Sequence, residues 1–288
     1  MVVEIVDGGG GNIVRHLIMK AFITTILCSL ALFSPVFADT IEEATEVYMD
    51  TGVPDSDQRV ASEFHGILGG GLFSGRKTVG DDGVKTVPLP LVFITYKDIA
   101  YWSIGGGGVW LLKSDDHALK FGAGIRVQGG WKPDDDADLA GMERRKGSLD
   151  GYLNGKWRTP LVTVGVHYYH DLGDASRGGT ASLRLSRGFR IGDGFWLTPS
   201  IGAAWLDSDR VDYYYGVKQT EALLSRPAYT GRDTLNFNAG LVGFYRLPRS
   251  WSLLGGVFAT RYGSGIAHSP IVEHRWSPMA YFGAGWMF

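Results

Sequence analysis

Apolar and polar side chains alternate along 119–128, which reads LKFGAGIRVQ. On an extended chain Leu119, Phe121, Ala123, Ile125 and Val127 fall on one face, with Lys120, Gly122, Gly124, Arg126 and Gln128 on the other. The alternation recurs. Leu149, Leu153 and Trp157 interleave with Asp150, Asn154 and Lys156, and Val162, Val164, Val166 and Tyr168 with Thr163, Gly165 and His167. Ala181, Leu183 and Leu185 alternate with Ser182, Arg184 and Ser186, and Leu235, Phe237, Ala239 and Leu241 with Asn236, Asn238 and Gly240. Repeated segments of roughly ten residues with this period, separated by turns, are the pattern of a transmembrane β-barrel, apolar toward lipid and polar toward the lumen. A soluble sandwich uses the same alternation with the faces reversed.

The pattern predicts an all-β, antiparallel transmembrane β-barrel of about twelve strands, at 62–73, 86–96, 99–104, 107–113, 117–128, 148–157, 161–170, 179–189, 195–204, 233–246, 251–261 and 278–288. Residues 99–113 form either two strands or one bent strand, and the second case leaves an odd count. The connections separate barrel from sandwich. With the N-terminus in the periplasm, connections 97–98, 114–116, 158–160, 190–194 and 247–250 are short, whereas 129–147, 205–232 and 262–277 are long. Short periplasmic turns opposite long extracellular loops are the outer-membrane arrangement, and a sandwich has no reason to sort its loops by parity.

Outside the N-terminal leader the chain has no apolar run of about 18 residues, so it offers no spanning helix. Its 42 glycines, 9 Trp, 13 Tyr and 14 Phe suit a curved wall with aromatic girdles. A formal net charge of −2 gives no reason to expect nucleic acid. Residues 1–18 carry Glu4, Asp7 and four consecutive glycines, a poor export signal; Met19 followed by Lys20 is the better start. An apolar stretch at 21–33 and the small-residue site Val36-Phe37-Ala38 then read as a signal peptide cleaved after Ala38. The expected organisation is a leader at 1–38, an acidic periplasmic segment at 39–61 and the barrel at 62–288. Cys28 lies in the leader, so the mature chain has neither disulfide nor thiol.

Phe282, Ala284, Trp286 and Phe288 alternate to the last residue, and Tyr281, Gly283, Trp286 and Phe288 resemble the C-terminal signal read by the barrel-assembly machinery. VPLPLVFITYKD at 87–98, DDDADLAGM at 134–142 and DYYYGVKQTEALLSRPAYT at 212–230 resemble the MipA/OmpV family of Gram-negative outer-membrane proteins, over about 63–288. The resemblance implies an outer-membrane barrel and assigns no catalytic residue. One member of that family is understood to scaffold a lytic transglycosylase and a bifunctional peptidoglycan synthase; others are described as porin-like or as surface antigens. The resemblance therefore implies a non-enzymatic scaffold contacting those enzymes through its periplasmic turns and residues 39–61, with outer-membrane lipid and lipopolysaccharide around it. A narrow porin-like channel and a surface antigen or adhesin are the rival expectations.

Candidate chemistry is sparse. Asp134, Asp135, Asp136 and Asp138 crowd one outer loop without the spacing of a calcium loop, and a solvated loop is the plainer reading. His167 and His170 fall on opposite faces of a strand and cannot share a metal. Ser269 follows His268, but adjacency in sequence is not a triad, and the glycine runs lack a phosphate loop's context. No metal or cofactor site is expected. Lys120, Arg126, Asp150, Lys156, His167 and Arg184 are expected to line the lumen, as mutually paired charges or as a selectivity lining. Tyr213, Tyr214 and Tyr215, on an outer loop, are expected to fold inward and constrict the lumen, with partner contact as the alternative.

Overall fold

The computed structural model describes residues 64–80 and 83–288. The leader and the 39–61 segment lie outside the described residues. Thirteen strand segments form one antiparallel sheet. They are β1 (Phe64–Arg76), β2 (Val84–Tyr96), β3 (Ala100–Ser103), β4 (Gly106–Lys113), β5 (Leu119–Gln128), β6 (Ser148–Arg158), β7 (Thr163–Asp171), β8 (Gly179–Ser186), β9 (Phe189–Ile191), β10 (Phe195–Leu206), β11 (Thr234–Arg246), β12 (Trp251–Arg261) and β13 (Trp276–Met287). Apart from β8 and β9, which both pair with β10, each pairs with its sequence neighbours, and β13 pairs with β1, Gly69 opposite Gly285, so the sheet closes on itself. Closure between β13 and β1 gives the backbone groups of both strands partners inside the wall, as a strand crossing lipid requires.

β8 and β9 are one stave: both pair with β10 in a single register, Ser186 opposite Ser200 and Phe189 opposite Leu197. The interruption at 187–188 faces Pro199, which has no N–H to donate, although Arg187 N still donates to Pro199 O at 3.2 Å. The barrel therefore has twelve staves. Residues 99–113 form two strands, β3 and β4, paired with Ala100 opposite Val109 and joined by a turn at Ile104-Gly105.

That hairpin is low. β3 pairs only with Phe93–Tyr96, leaving the rest of β2 without a described strand partner on that side. Ile99 N donates to Tyr96 O, so the even-numbered backbone groups of β2 face β3. Pro88 and Pro90 fall in this set, and the open edge lacks two of its donors.

The outer face is apolar between two aromatic belts. Leu153, Val166, Leu183, Ile201, Leu241, Val257 and Phe282 are exposed along the middle of their strands. Trp157, Tyr245, Trp251 and Trp286 ring the end with the short turns; Tyr168, Trp205, Phe237 and Trp276 ring the opposite end. Lipid explains such a face and water does not.

Half of the interior departs from the polar lining that strict alternation suggests. Phe73, Leu89, Leu91, Trp196, Val242, Phe244, Leu254, Phe258, Met279 and Tyr281 form a buried cluster inside β1, β2 and β10–β13. Phe73 and Phe258 stack on Tyr281 with ring centres 5.0 and 6.1 Å away. Polar side chains line the other half, β4–β8.

Leu241→Arg, at the middle of β11, should destabilise the barrel by about 2–4 kcal/mol, and Tyr245→Arg, at the aromatic belt, by about 0–1 kcal/mol. Urea unfolding in lipid vesicles, followed by heat-modifiable migration on a gel, measures both; equal effects would contradict a membrane-facing belt.

Candidate functional site

The long connections do not wave free at the barrel end. Segments around 79, 129–147, 206–232 and 262–275 pack on one another into a second core of Val79, Trp131, Leu139, Met142, Leu206, Val211, Tyr214, Tyr215, Val217, Tyr262, Ile266, Ile271 and Val272. At its centre is helix α1 (Ser208–Tyr215). Asp207 caps it, accepting from Arg210 N at 2.9 Å, and also accepts from Gly179 N at 2.6 Å, fixing the helix to the top of β8.

The carbonyls at the end of a helix have no partner within it. Two loops supply them here, through three side chains. Tyr213 O accepts from Arg145 Nε (2.8 Å), Tyr214 O from Trp131 Nε1 (3.0 Å) and Tyr215 O from Ser269 Oγ (2.5 Å). The tyrosine run thus acts through its backbone as well as its rings. Tyr214 is fully buried, and burial pushes its hydroxyl pKa up. Tyr213 remains at the edge, its hydroxyl accepting from Lys146 N at 2.8 Å. These residues sit in the cap over the lumen rather than inside the barrel wall.

Two buried ionic groups pin the cap. Arg210, 1% exposed, reaches from α1 to Asp150 on β6, 0% exposed, with Nη2 donating to Oδ2 at 2.7 Å. Its Nη1 donates to Gln128 Oε1 at 2.6 Å. Arg126 Nε donates to the same Asp150 oxygen at 3.3 Å, its guanidinium 3.6 Å from the Tyr169 ring centre, and Ser148 Oγ donates to Asp150 Oδ1 at 2.7 Å. Higher in the cap, Arg145 grips Glu221 with Nη1 at 3.0 Å and Nη2 at 2.8 Å. Burial alone would raise the Glu221 carboxyl pKa, but hydrogen bonds from Arg145 and from the Glu143 and Lys218 amides hold it down at about 2.

Of the expected lumen residues, Arg126 and Asp150 join the group under the cap. Lys120 lies nearer the short-turn end, 2.9 Å from Asp98 Oδ1, with Lys113 also on that carboxylate. Burial would raise the Asp98 pKa, but Lys120 and then Lys113 bring it below its ordinary value. Lys156 and Arg184 lie half-buried on the inner face. His167 points inward, stacked on Tyr169 at 5.7 Å, and His170 points outward beside Tyr168. Tyr281 and Gly283 face inward, Gly283 against Leu91, whereas Trp286 faces out and stacks with Phe288 at 5.7 Å. In the acidic loop, Asp136 is taken up by Lys77 at 2.9 Å, and no metal-holding cluster occurs among the described residues. Arg210, Arg145, Trp131 and Glu221 were not visible as a site in the sequence, although the glutamate falls in the 212–230 stretch.

The sequence profile of the family described as MltA-interacting protein MipA matches residues 68–288. The chain belongs to that family. Outer membrane protein OmpV of Vibrio cholerae is 32% identical over 135 residues, covering 47% of this chain and 52% of that one. Omp26La of Vibrio anguillarum is 30% identical over the same shares. The chain thus spans about half the length of these two relatives. The MltA-interacting protein of Escherichia coli is 24% identical over 229 residues, covering 77% of this chain and 89% of that one. Among solved structures, a Pseudomonas aeruginosa FadL homologue aligns with TM-score 0.40 at 11% identity, covering 79% of this chain and 90% of that one. The NanC porin aligns with TM-score 0.40 at 12% identity, covering 76% and 98%. A closed barrel with a lipid-facing belt, in a family of outer-membrane proteins, is a protein of the Gram-negative outer membrane.

Replacing Arg210 by Met should loosen the cap by about 3–5 kcal/mol, since it breaks a buried ion pair; faster hydrogen exchange of the α1 amides with the barrel intact is the expected readout. The Glu221 pKa is depressed, so its contribution is complete above its ordinary value of 4.5 and fades as pH falls toward about 2. Exchange of the 218–222 amides should accelerate across that window, and Glu221→Gln should remove the pH dependence.

Proposed function

We propose that this protein is a non-enzymatic scaffold of the cell envelope, which holds peptidoglycan-remodelling enzymes at the inner side of the outer membrane. The observation that carries the reading is the packing of the long loops on one another at the barrel end. A general porin needs loops that leave a water path, whereas here the loops share an apolar core, with one buried ion pair joining loop to loop and another joining the cap to the wall. The name of the Escherichia coli relative supports a lytic transglycosylase as one partner. On this reading the short turns at 97–99, 114–118, 159–162, 192–194 and 247–250 face the periplasm and, with residues 39–61, supply the contact surface. A peptidoglycan synthase is the second expected partner. Barrel-assembly machinery would read the C-terminal strand through Tyr281, Gly283, Trp286 and Phe288.

A narrow porin-like channel is the second reading, favoured by the polar half of the interior. It requires the cap to open, so it predicts a conductance that rises when Arg210 is replaced.

Cross-linking in intact cells, followed by capture of the mature protein and mass spectrometry, tests the scaffold. Recovery of a lytic transglycosylase or a peptidoglycan synthase is the expected outcome. Recovery of only lipopolysaccharide and assembly factors, together with steady single-channel conductance in planar bilayers, would replace the scaffold by the channel.

A further inference from the structure

The cap over the barrel holds a cavity of 380 Å³, a size in the range of small-ligand sites. Its lining comes from three connections: 143–145 before β6, Ser176 between β7 and β8, and 209–230 between β10 and β11. Hydrogen bonds hold the frame on several sides. Val217 and Tyr229 exchange both backbone bonds, at 2.8 and 2.9 Å, and Asp212 Oδ1 accepts from Gly231 N at 2.7 Å. Arg145, already on Glu221, also donates to Glu143 O at 2.9 Å and to Gly216 O at 3.3 Å. A cavity braced in this way exists before a ligand arrives, so little ordering opposes binding.

The lining combines ring surface with exposed polar groups. Tyr213 and Tyr229 use their hydroxyls elsewhere, Tyr213 Oη accepting from Lys146 N at 2.8 Å and Tyr229 Oη donating to Gly265 O at 2.9 Å. What they offer the cavity is their rings. The Arg144, Asp209, Gln219 and Thr230 side chains are exposed and make no hydrogen bond or ion pair among the described residues. They supply a donor-only guanidinium, an acceptor-only carboxylate, and an amide and a hydroxyl that do both.

Charge nearly cancels across the lining. Lys218 Nζ meets Glu143 Oε2 at 2.6 Å, and the remaining exposed charges set Arg144 against Asp209 and Asp212. An anion entering here would meet the two aspartates, and a small cation would meet Arg144 and Lys218. An uncharged ring bearing hydroxyls avoids both conflicts. Its C–H face lies against an aromatic ring, its hydroxyls donate and accept, and adjacent hydroxyls match the two-atom edges of carboxylate, amide and guanidinium groups.

We propose that this cavity binds a neutral saccharide. Long loops of outer-membrane barrels face the cell exterior, where two sources present such rings: polysaccharide on the bacterium's own surface, and glycans of another cell. The site is independent of the scaffold reading, which concerns the short-turn end.

Two probes test the site on the full mature chain in detergent. One is a printed array of neutral, sialylated and sulfated oligosaccharides; the other is polysaccharide released from the lipid of the protein's own outer membrane. Each is measured with and without Asp209→Ala/Gln219→Ala, which removes two exposed groups that hold no other part of the cap. Heat-modifiable migration verifies that the variant keeps its barrel. Neutral saccharide should bind with an affinity indifferent to salt, and the double substitution should weaken it roughly tenfold or more. Binding to array glycans assigns a foreign source and binding to the released polysaccharide assigns the bacterium's own surface; either supports the site. Absence of binding to both probes, binding confined to sialylated or sulfated glycans, or binding indifferent to the double substitution overturns the proposal. Partner capture from cells should be the same for the variant, so the scaffold reading stands or falls separately.

Discussion

The Asp150 carboxylate is the point on which the two halves of the molecule meet. It is fully buried, and a buried charge survives only when paired and hydrogen-bonded. Its partners come from the neighbouring strand, through Arg126, and from a helix 60 residues further along the chain, through Arg210. An apolar loop core alone can shift by a side chain's width at small loss, because hydrophobic contact has no direction. Hydrogen bonds from two guanidinium groups do have direction. They fix α1 over the lumen, and once α1 is fixed its three terminal carbonyls are in place to receive Arg145, Trp131 and Ser269. The cap is therefore built outward from one wall residue.

The interior resolves a problem of width. A twelve-stave barrel encloses more space than the side chains of its own wall fill in an eight-strand barrel. Here the space is divided. Aromatic and branched side chains from β1, β2 and β10–β13 pack one side solid, loops close the long-loop end, and the polar side chains of β4–β8 occupy what remains. Burying charges beside an apolar wall strengthens each pair, and equally penalises any charge left without one. The same division explains why Arg126 stacks on Tyr169 while bonding Asp150: the ring covers a guanidinium that water would otherwise have to solvate.

The wall was legible in the sequence because its physics is periodic. Alternation placed the strands, the split at 99–113 remained open, and the sheet register then gave β3 and β4 as separate strands. The break between β8 and β9 has a local cause, Pro199, but that proline belongs to another strand, so nothing in 179–189 announces it. The inner apolar cluster escaped because Val242, Phe244, Leu254 and Met279 fall at positions where alternation alone calls for polar residues. The cap escaped for a different reason. Its residues sit in irregular loops with no period, and its contacts join Gln128 to Arg210 or Arg145 to Glu221, separations that one sequence cannot reveal. Asp207, three residues before the amide it caps, was the available signal for α1.

The low β3–β4 hairpin shows how strictly the membrane constrains the backbone. An open strand edge at membrane depth exposes donors and acceptors that lipid cannot satisfy. Pro88 and Pro90 remove two donors from the side of β2 that β3 does not reach, and they do so without loss to the β1–β2 ladder, whose bonds come from the odd-numbered residues. Above the hairpin tip, the β5–β6 loop leans across to the β1–β2 connection, where Asp136 meets Lys77 at 2.9 Å and packs against Gly80. Gly80 adopts a φ of +87° and has no room for a side chain against that carboxylate, so the contact depends on glycine at this position. The VPLP stretch thus serves one requirement: a wall that is short of strand at one place must be short of unsatisfied backbone there too.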